Sequence, residues 1–173
     1  WRLIATQGIR NAFIPPTALK LLRGAGPVPD RASLRLRTVG SGGEMLGRDT
    51  YDWARSELGI TINEFYGQTE CNLVVGACAA AGVTRAGAMG RPTPGHTVAV
   101  IDDQGNVLPP GETGQIAVAR PDPVMFLGYW GKPEATAEKF VGDWMTTGDQ
   151  GMTDEDGYLF FVGRDDDLIT SAG

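Results

Sequence analysis

Short apolar runs separated by amphipathic stretches fill the first ninety residues, and that order of periodicities restricts the chain to layered βα units. Residues 9–14 read as a strand, and Pro15-Pro16 then opens a helix through residue 22, since proline is tolerated in a first helical turn. A second strand is expected over 34–39, running into Gly40-Ser41-Gly42-Gly43. The next helix is expected over 48–58, where Tyr51, Ala54 and Leu58 share a face and Gly59 supplies the stop. A third strand over 61–65 delivers Tyr66-Gly67-Gln68-Thr69-Glu70 at its carboxyl end. Ligands of open α/β sheets bind at those ends, so Gly42 to Glu44 and Tyr66 to Glu70 are expected to converge on one crevice.

After about residue 90 the texture changes to Pro/Gly turns between short alternating strands. Residues 98–102 and 115–118 bracket Pro109-Pro110-Gly111, a helix is expected over 133–140 with Glu134 and Glu138 on its solvated face, and strands at Trp144 and over 158–162. The expected fold class is therefore α/β: a βα-layered sheet subdomain over 1–92, then a small antiparallel β-barrel-like subdomain over 93–163.

Composition sets outer limits. The 173 residues, 42% hydrophobic and 21% charged, suffice for one or two compact units. A formal net charge of −6 disfavours a sequence-independent grip on nucleic acid, which depends on Lys and Arg neutralising phosphates, so no nucleic-acid partner is expected. No run approaches the roughly 20 apolar residues of a membrane helix, and Trp1 does not open a charged n-region, which makes a cytoplasmic location the expectation. Cys71 and Cys78, the only cysteines, lack the neighbours of a zinc site and read as structural thiols. His96, the only histidine, sits in the turn Pro94-Gly95-His96 with no nucleophile or orienting acid beside it in sequence, so a turn histidine is favoured over a general base.

Three blocks carry chemistry: Tyr66 to Glu70, Thr147-Gly148-Asp149, and Gly163-Arg164-Asp165-Asp166-Asp167. Each sets a hydroxyl, carboxylate or guanidinium beside a glycine, the groups that a magnesium nucleotide, its ribose and its phosphates require. Taken alone, Gly42 and Gly43 fit a plain strand-to-helix turn, Tyr66 a core position, and Asp149 with Arg164 a surface pair worth little. Together with Gly42-Gly43-Glu44, the stretch 87–95, Trp144 to Asp149 and the stretch 154–173, the pattern resembles the acyl-CoA synthetases of the adenylate-forming, AMP-binding superfamily, most of all the medium-chain branch.

The resemblance implies roles. Gly43, Glu44 and Met45 would form one wall of an adenine slot and Tyr66 the other, with Glu64, Phe65 and Gln68 taken into the same nucleotide-binding set. Thr69 would hydrogen-bond the α-phosphate and Glu70 would help hold Mg²⁺, which makes these two the expected catalytic residues. Asp149 would accept both ribose hydroxyls and Arg164 would also touch the ribose. Asp166 matches the hinge about which a carboxyl-terminal domain rotates, residues 164–173 forming the hinge segment, and Gly173 matches a glycine lining the pantetheine tunnel, preceded by Ala172 where the family often has serine. Gly67 stands where short-chain relatives carry a tryptophan that caps the acyl pocket.

The implied activity belongs to a longer enzyme, since the family's Ser/Thr/Gly-rich phosphate loop and its catalytic lysine have no counterpart around Lys20, Lys132 or Lys139. A carboxylic acid, expected to be a medium-chain fatty or aryl acid, reacts with ATP to give acyl-AMP and pyrophosphate; CoA then displaces AMP. ATP, Mg²⁺ and CoA are the expected cofactors and co-substrates. Two alternatives stand beside this: an adenylating enzyme that loads a carrier-protein thiol or forms another final bond, and, for the 173 residues alone, a non-catalytic domain.

Overall fold

A computed structural model of the chain describes residues 1–28 and 31–165. The chain divides into two compact units that interleave: Trp1–Tyr66 with Gly76–Gly90, and Gly67–Val75 with Arg91 onward.

The first unit has α1 (Arg2–Thr6), β1 (Asn11–Phe13), α2 (Pro16–Gly24), β2 (Thr38–Gly42), α3 (Arg48–Trp53) and the start of β3 (Ile62–Gln68). β1, β2 and β3 run parallel, with Phe13 opposite Gly40 and Gly42 opposite Phe65. Pro16 sits in the first turn of α2, where its missing N–H has no helical partner to lose. α3 continues through a single π turn, Ala54–Leu58, and stops at Gly59, whose left-handed backbone (φ 59, ψ 31) suits glycine. Tyr51, Ala54 and Leu58 are buried as their shared face predicts, joining Leu19, Leu46, Val39, Ile60 and Ile62 in one core. Burying each large aliphatic is worth about 1.5–3 kcal/mol. The Tyr51 phenol meets its polar need on Thr84 Oγ1 at 2.5 Å.

The second unit contains β4 (Asn72–Gly76, up to Val75), β5 (Arg91–Pro92), β6 (Val98–Ile101), β7 (Thr113–Ala119), α4 (Pro133–Ala137), β8 (Phe140–Val141), β9 (Trp144–Thr153) and β10 (Leu159–Arg164). The last strands form a curled antiparallel sheet in the order β10-β9-β7-β6, with β8 paired to β9. Strict alternation along β9 buries Met145, Thr147, Asp149 and Gly151 on one face. Gly151 has to be small: a Cβ there would lie 2.7 Å from Ile116.

The α/β class is as expected, while several element limits differ. The second strand lies at Thr38–Gly42 and not over 34–39, because Leu34 and Leu36 pack sideways against the core while the side-chain-poor run Gly40-Ser41-Gly42 fits between neighbouring strands. α4 ends at Ala137, three residues short of the expected limit. α1 and β4 have no counterpart in the sequence reading. Asp166 and Gly173, the expected hinge and tunnel residues, lie outside the described residues, as do Asp167 and Ala172. Among the described residues no helix is long and apolar enough to cross a membrane.

Candidate nucleotide and acyl site

Within the first unit the carboxyl ends of β2 and β3 are adjacent, which puts Gly42 to Met45 beside Glu64 to Tyr66. Gly43 adopts φ +89, a left-handed turn that lets the chain leave β2 without strain. Glu44 and Met45 are exposed beyond that turn, and the Glu44 carboxylate accepts the Thr17 hydroxyl at 2.5 Å. Glu64 turns inward. Its carboxylate accepts the Leu46 N–H at 3.0 Å and its backbone carbonyl accepts the Ala77 N–H at 2.7 Å. Burial pushes the Glu64 carboxyl above its ordinary range, with the Leu46 N–H opposing. Its side chain thus pins the Gly43–Met45 turn to β3. Ser41, opposite Glu64 in the register, is fully buried, and its hydroxyl has no partner among the described residues.

On the other face of the same strands the carboxyl ends carry an apolar patch, beside Thr38 and Asn63, which hydrogen-bond to each other at 3.0 Å. Phe13 and Phe65 sit with ring centroids 5.5 Å apart, and Gly40 and Gly42 lie against the Phe65 ring, where a Cβ on Gly42 would come within 2.8 Å of it. Phe13 remains 58% exposed. Sequence reasoning missed Phe13 and Gly40. Their signal was the register, since a parallel sheet brings residues 13, 40, 42 and 65 onto one face although nothing in their spacing says so.

The second unit assembles the remaining motif residues. The Gln68 amide donates to the Thr147 carbonyl at 3.0 Å, which ties the stretch Gly67 to Glu70 to the Thr147 to Asp149 block. The Thr147 hydroxyl donates to the Ile116 carbonyl at 2.8 Å and accepts the Asp149 N–H at 3.2 Å. Asp149 and Arg164 are direct partners across β9 and β10, with Nη1 and Oδ1 3.8 Å apart. Asp149 is buried and Arg164 half-exposed, so the pair presents a fixed carboxylate beside a reachable guanidinium. Asp165 accepts the side-chain amides of Gln115 and Gln150.

Thr69 is exposed. Glu70 is half-buried, and its carboxylate accepts the Tyr129 hydroxyl at 2.6 Å. That hydrogen bond, assisted weakly by the Lys139 charge, holds the Glu70 carboxyl below its ordinary range. Among the described residues no three His, Cys, Asp or Glu side chains gather into a metal cage. One anionic carboxylate fits a Mg²⁺ that arrives on nucleotide phosphates, because that ion commonly takes only one or two protein carboxylates.

Three sequence expectations change. Gly67 has its own structural reason: a Cβ there would lie 1.7 Å from the Asn72 carbonyl oxygen, so this backbone admits no side chain. Its smallness therefore does not by itself report on acyl length. His96 does have an acid beside it, Asp122 Oδ2 at 2.6 Å from Nδ1, both side chains being largely enclosed. The sequence hid this because 26 residues separate them. Cys71 is buried, and burial raises its thiol pKa, but Cys78 is exposed.

Residues 1–130 match the family described as AMP-binding enzyme. The chain belongs to that family. Among curated AMP-binding relatives, it is 42% identical over 141 residues to acyl-coenzyme A synthetase ACSM5, mitochondrial, of Rattus norvegicus, covering 79% of the chain and 24% of the relative. It is 40% identical over 138 residues to the uncharacterized acyl–CoA ligase YtcI of Bacillus subtilis, covering 80% and 26%. Among solved structures, ATP-bound MatB from Rhodopseudomonas palustris superposes with a TM-score of 0.88 at 33% identity, covering 97% of the chain and 33% of that protein. A benzoate CoA ligase from Burkholderia xenovorans gives 0.87 at 26% identity, covering 99% and 34%. The amide bond synthetase McbA from Marinactinospora thermotolerans gives 0.82 at 31% identity, covering 97% and 35%. The chain spans about a quarter of the length of the curated relatives it matches.

Proposed function

We propose that the protein containing this chain activates a carboxylic acid with ATP and passes the acyl group to CoA. The observation that carries the reading is the buried Asp149 carboxylate beside Arg164, on a strand hydrogen-bonded through Thr147 to Gln68 of the Tyr66 to Glu70 block. A fixed carboxylate accepts two vicinal hydroxyls, as a ribose offers, without the cost of ordering it first. The acid's carboxylate oxygen attacks the α-phosphorus and the bond to pyrophosphate breaks, giving acyl-AMP. The CoA sulfur then attacks the acyl carbonyl, and AMP leaves. In the first step Thr69 donates to the α-phosphate and Tyr66 stacks on the base against Gly43, Glu44 and Met45. Glu70 would hold Mg²⁺ together with nucleotide phosphates, and the ion would neutralise charge gathering on pyrophosphate.

For the acid we propose a medium-chain fatty or aryl carboxylate. The apolar patch made by Phe13, Gly40, Gly42 and Phe65 suits a flat ring or an alkyl chain, and one solved structural neighbour is a benzoate CoA ligase. The 173 residues by themselves are proposed to be inactive. The test is pyrophosphate release by the full-length protein with ATP and acids from acetate to decanoate plus benzoate, each with and without CoA. Turnover on mid-length or aryl acids that continues only with CoA is expected. A second reading, that adenylation is followed by a bond other than a CoA thioester, is favoured by the likeness to an amide bond synthetase; release equally sustained by an amine without CoA would establish it.

A further inference from the structure

Glu70 is gripped from two sides by one loop. Its backbone carbonyl accepts the Phe126 N–H at 2.7 Å, and its carboxylate Oε1 accepts the Tyr129 hydroxyl at 2.6 Å. The loop is itself anchored at both ends. Asp122 takes the His96 ring nitrogen at 2.6 Å and the Val124 N–H at 3.0 Å, while the Tyr129 N–H donates to the Thr136 hydroxyl of α4 at 2.9 Å. The Tyr129 ring also packs on Phe126, centroids 5.0 Å apart, and Phe126 stacks on Phe140.

We propose that Tyr129 is a positioning residue for Glu70, fixing one carboxylate oxygen so that the other is presented to the cation carried by the nucleotide. This rests on the adenylating reading given above. A phenol suits the task because it donates a hydrogen bond without adding charge near the ion. Partners that orient a metal-binding group from outside typically govern cation affinity by tenfold or more.

The test uses the full-length protein and its Tyr129→Phe variant, which keeps the ring on Phe126 and removes only the hydroxyl. Mn²⁺ binding in the presence of α,β-methylene-ATP, followed by electron paramagnetic resonance, is expected to weaken about tenfold in the variant, with metal-free nucleotide binding unchanged. In the background of Glu70→Gln, the Tyr129→Phe change should have no further effect. Unchanged Mn²⁺ affinity in a folded Tyr129→Phe protein overturns the inference while leaving the adenylating reading intact. Absence of both Mn²⁺–nucleotide binding and pyrophosphate release in the wild-type protein overturns the two together. Were the Tyr129→Phe variant to lose its thermal transition, Thr136→Val, which removes the hydroxyl that anchors the Tyr129 N–H, carries the same Mn²⁺ measurement: unchanged affinity in the folded protein sinks the inference, and a weakening upholds it.

Discussion

Glu64 and Glu70 lie six positions apart and are treated oppositely by their surroundings. Desolvation raises Glu64, so its contribution to stability is fully present below the ordinary carboxyl pKa of 4.5 and is lost as pH rises through the raised folded value. Glu70 is lowered, so its contribution is present above 4.5 and lost as pH falls through the depressed value. Glu64→Gln keeps an oxygen for the Leu46 N–H and removes the ionisation. Thermal melts across pH 4–8 should show no difference near pH 4 and a growing advantage for the variant toward neutrality; a variant that is less stable at pH 7 would mean the carboxylate charge is itself required. Thr69, Glu70, Asp149 and Arg164 stood out as candidates because their neighbours form recognisable blocks. Tyr129 did not: it meets Glu70 across 59 residues, and neither spacing nor composition encodes that meeting.

Elements were legible where periodicity and punctuation agreed. Proline at the start of α2 and glycine after the π turn of α3 both mark real ends, since each residue supplies the backbone angle its position needs. β2 was misplaced because Leu34 and Leu36 alternate with arginines like a strand, whereas the observed strand has only Thr38 and Val39 as strand formers and continues through Gly40-Ser41-Gly42, residues that usually signal a turn. β4 went unseen because Leu73-Val74-Val75 is a short apolar run directly behind the Glu70 block. The turn leading into β4 also holds Gly67 against the Asn72 carbonyl, and Asn72 adopts φ +57 to make that approach. Gly67→Ala should therefore cost about 3 kcal/mol or more, at the upper end for overpacking, because backbone and not a movable side chain must yield. Urea unfolding measures it, and a loss below about 1 kcal/mol would show that the turn opens easily.

For the molecule as a whole, the α/β class and the turn-rich second half were legible in the change of texture near residue 90, but the interleaving of the units was not, because no composition shift marks residues 67–75. The surface carries an apolar loop in which Leu127 and Trp130 are entirely exposed and Val124 is 40% exposed. Exposed apolar groups of this size favour association. Leu127→Asp combined with Trp130→Glu is expected to lower the light scattering of concentrated solutions while changing unfolding free energy by less than about 0.5 kcal/mol, the usual range at surfaces. Unaltered scattering would place the sticky surface elsewhere. The chain passes from one unit to the other at residues 66/67, 75/76 and 90/91. Anyone building hybrids between this protein and a relative must therefore splice at three points to exchange a whole unit. A single recombination breakpoint between residues 67 and 90 would instead give both units a mixed parentage, so natural shuffling within the family is expected to spare that stretch.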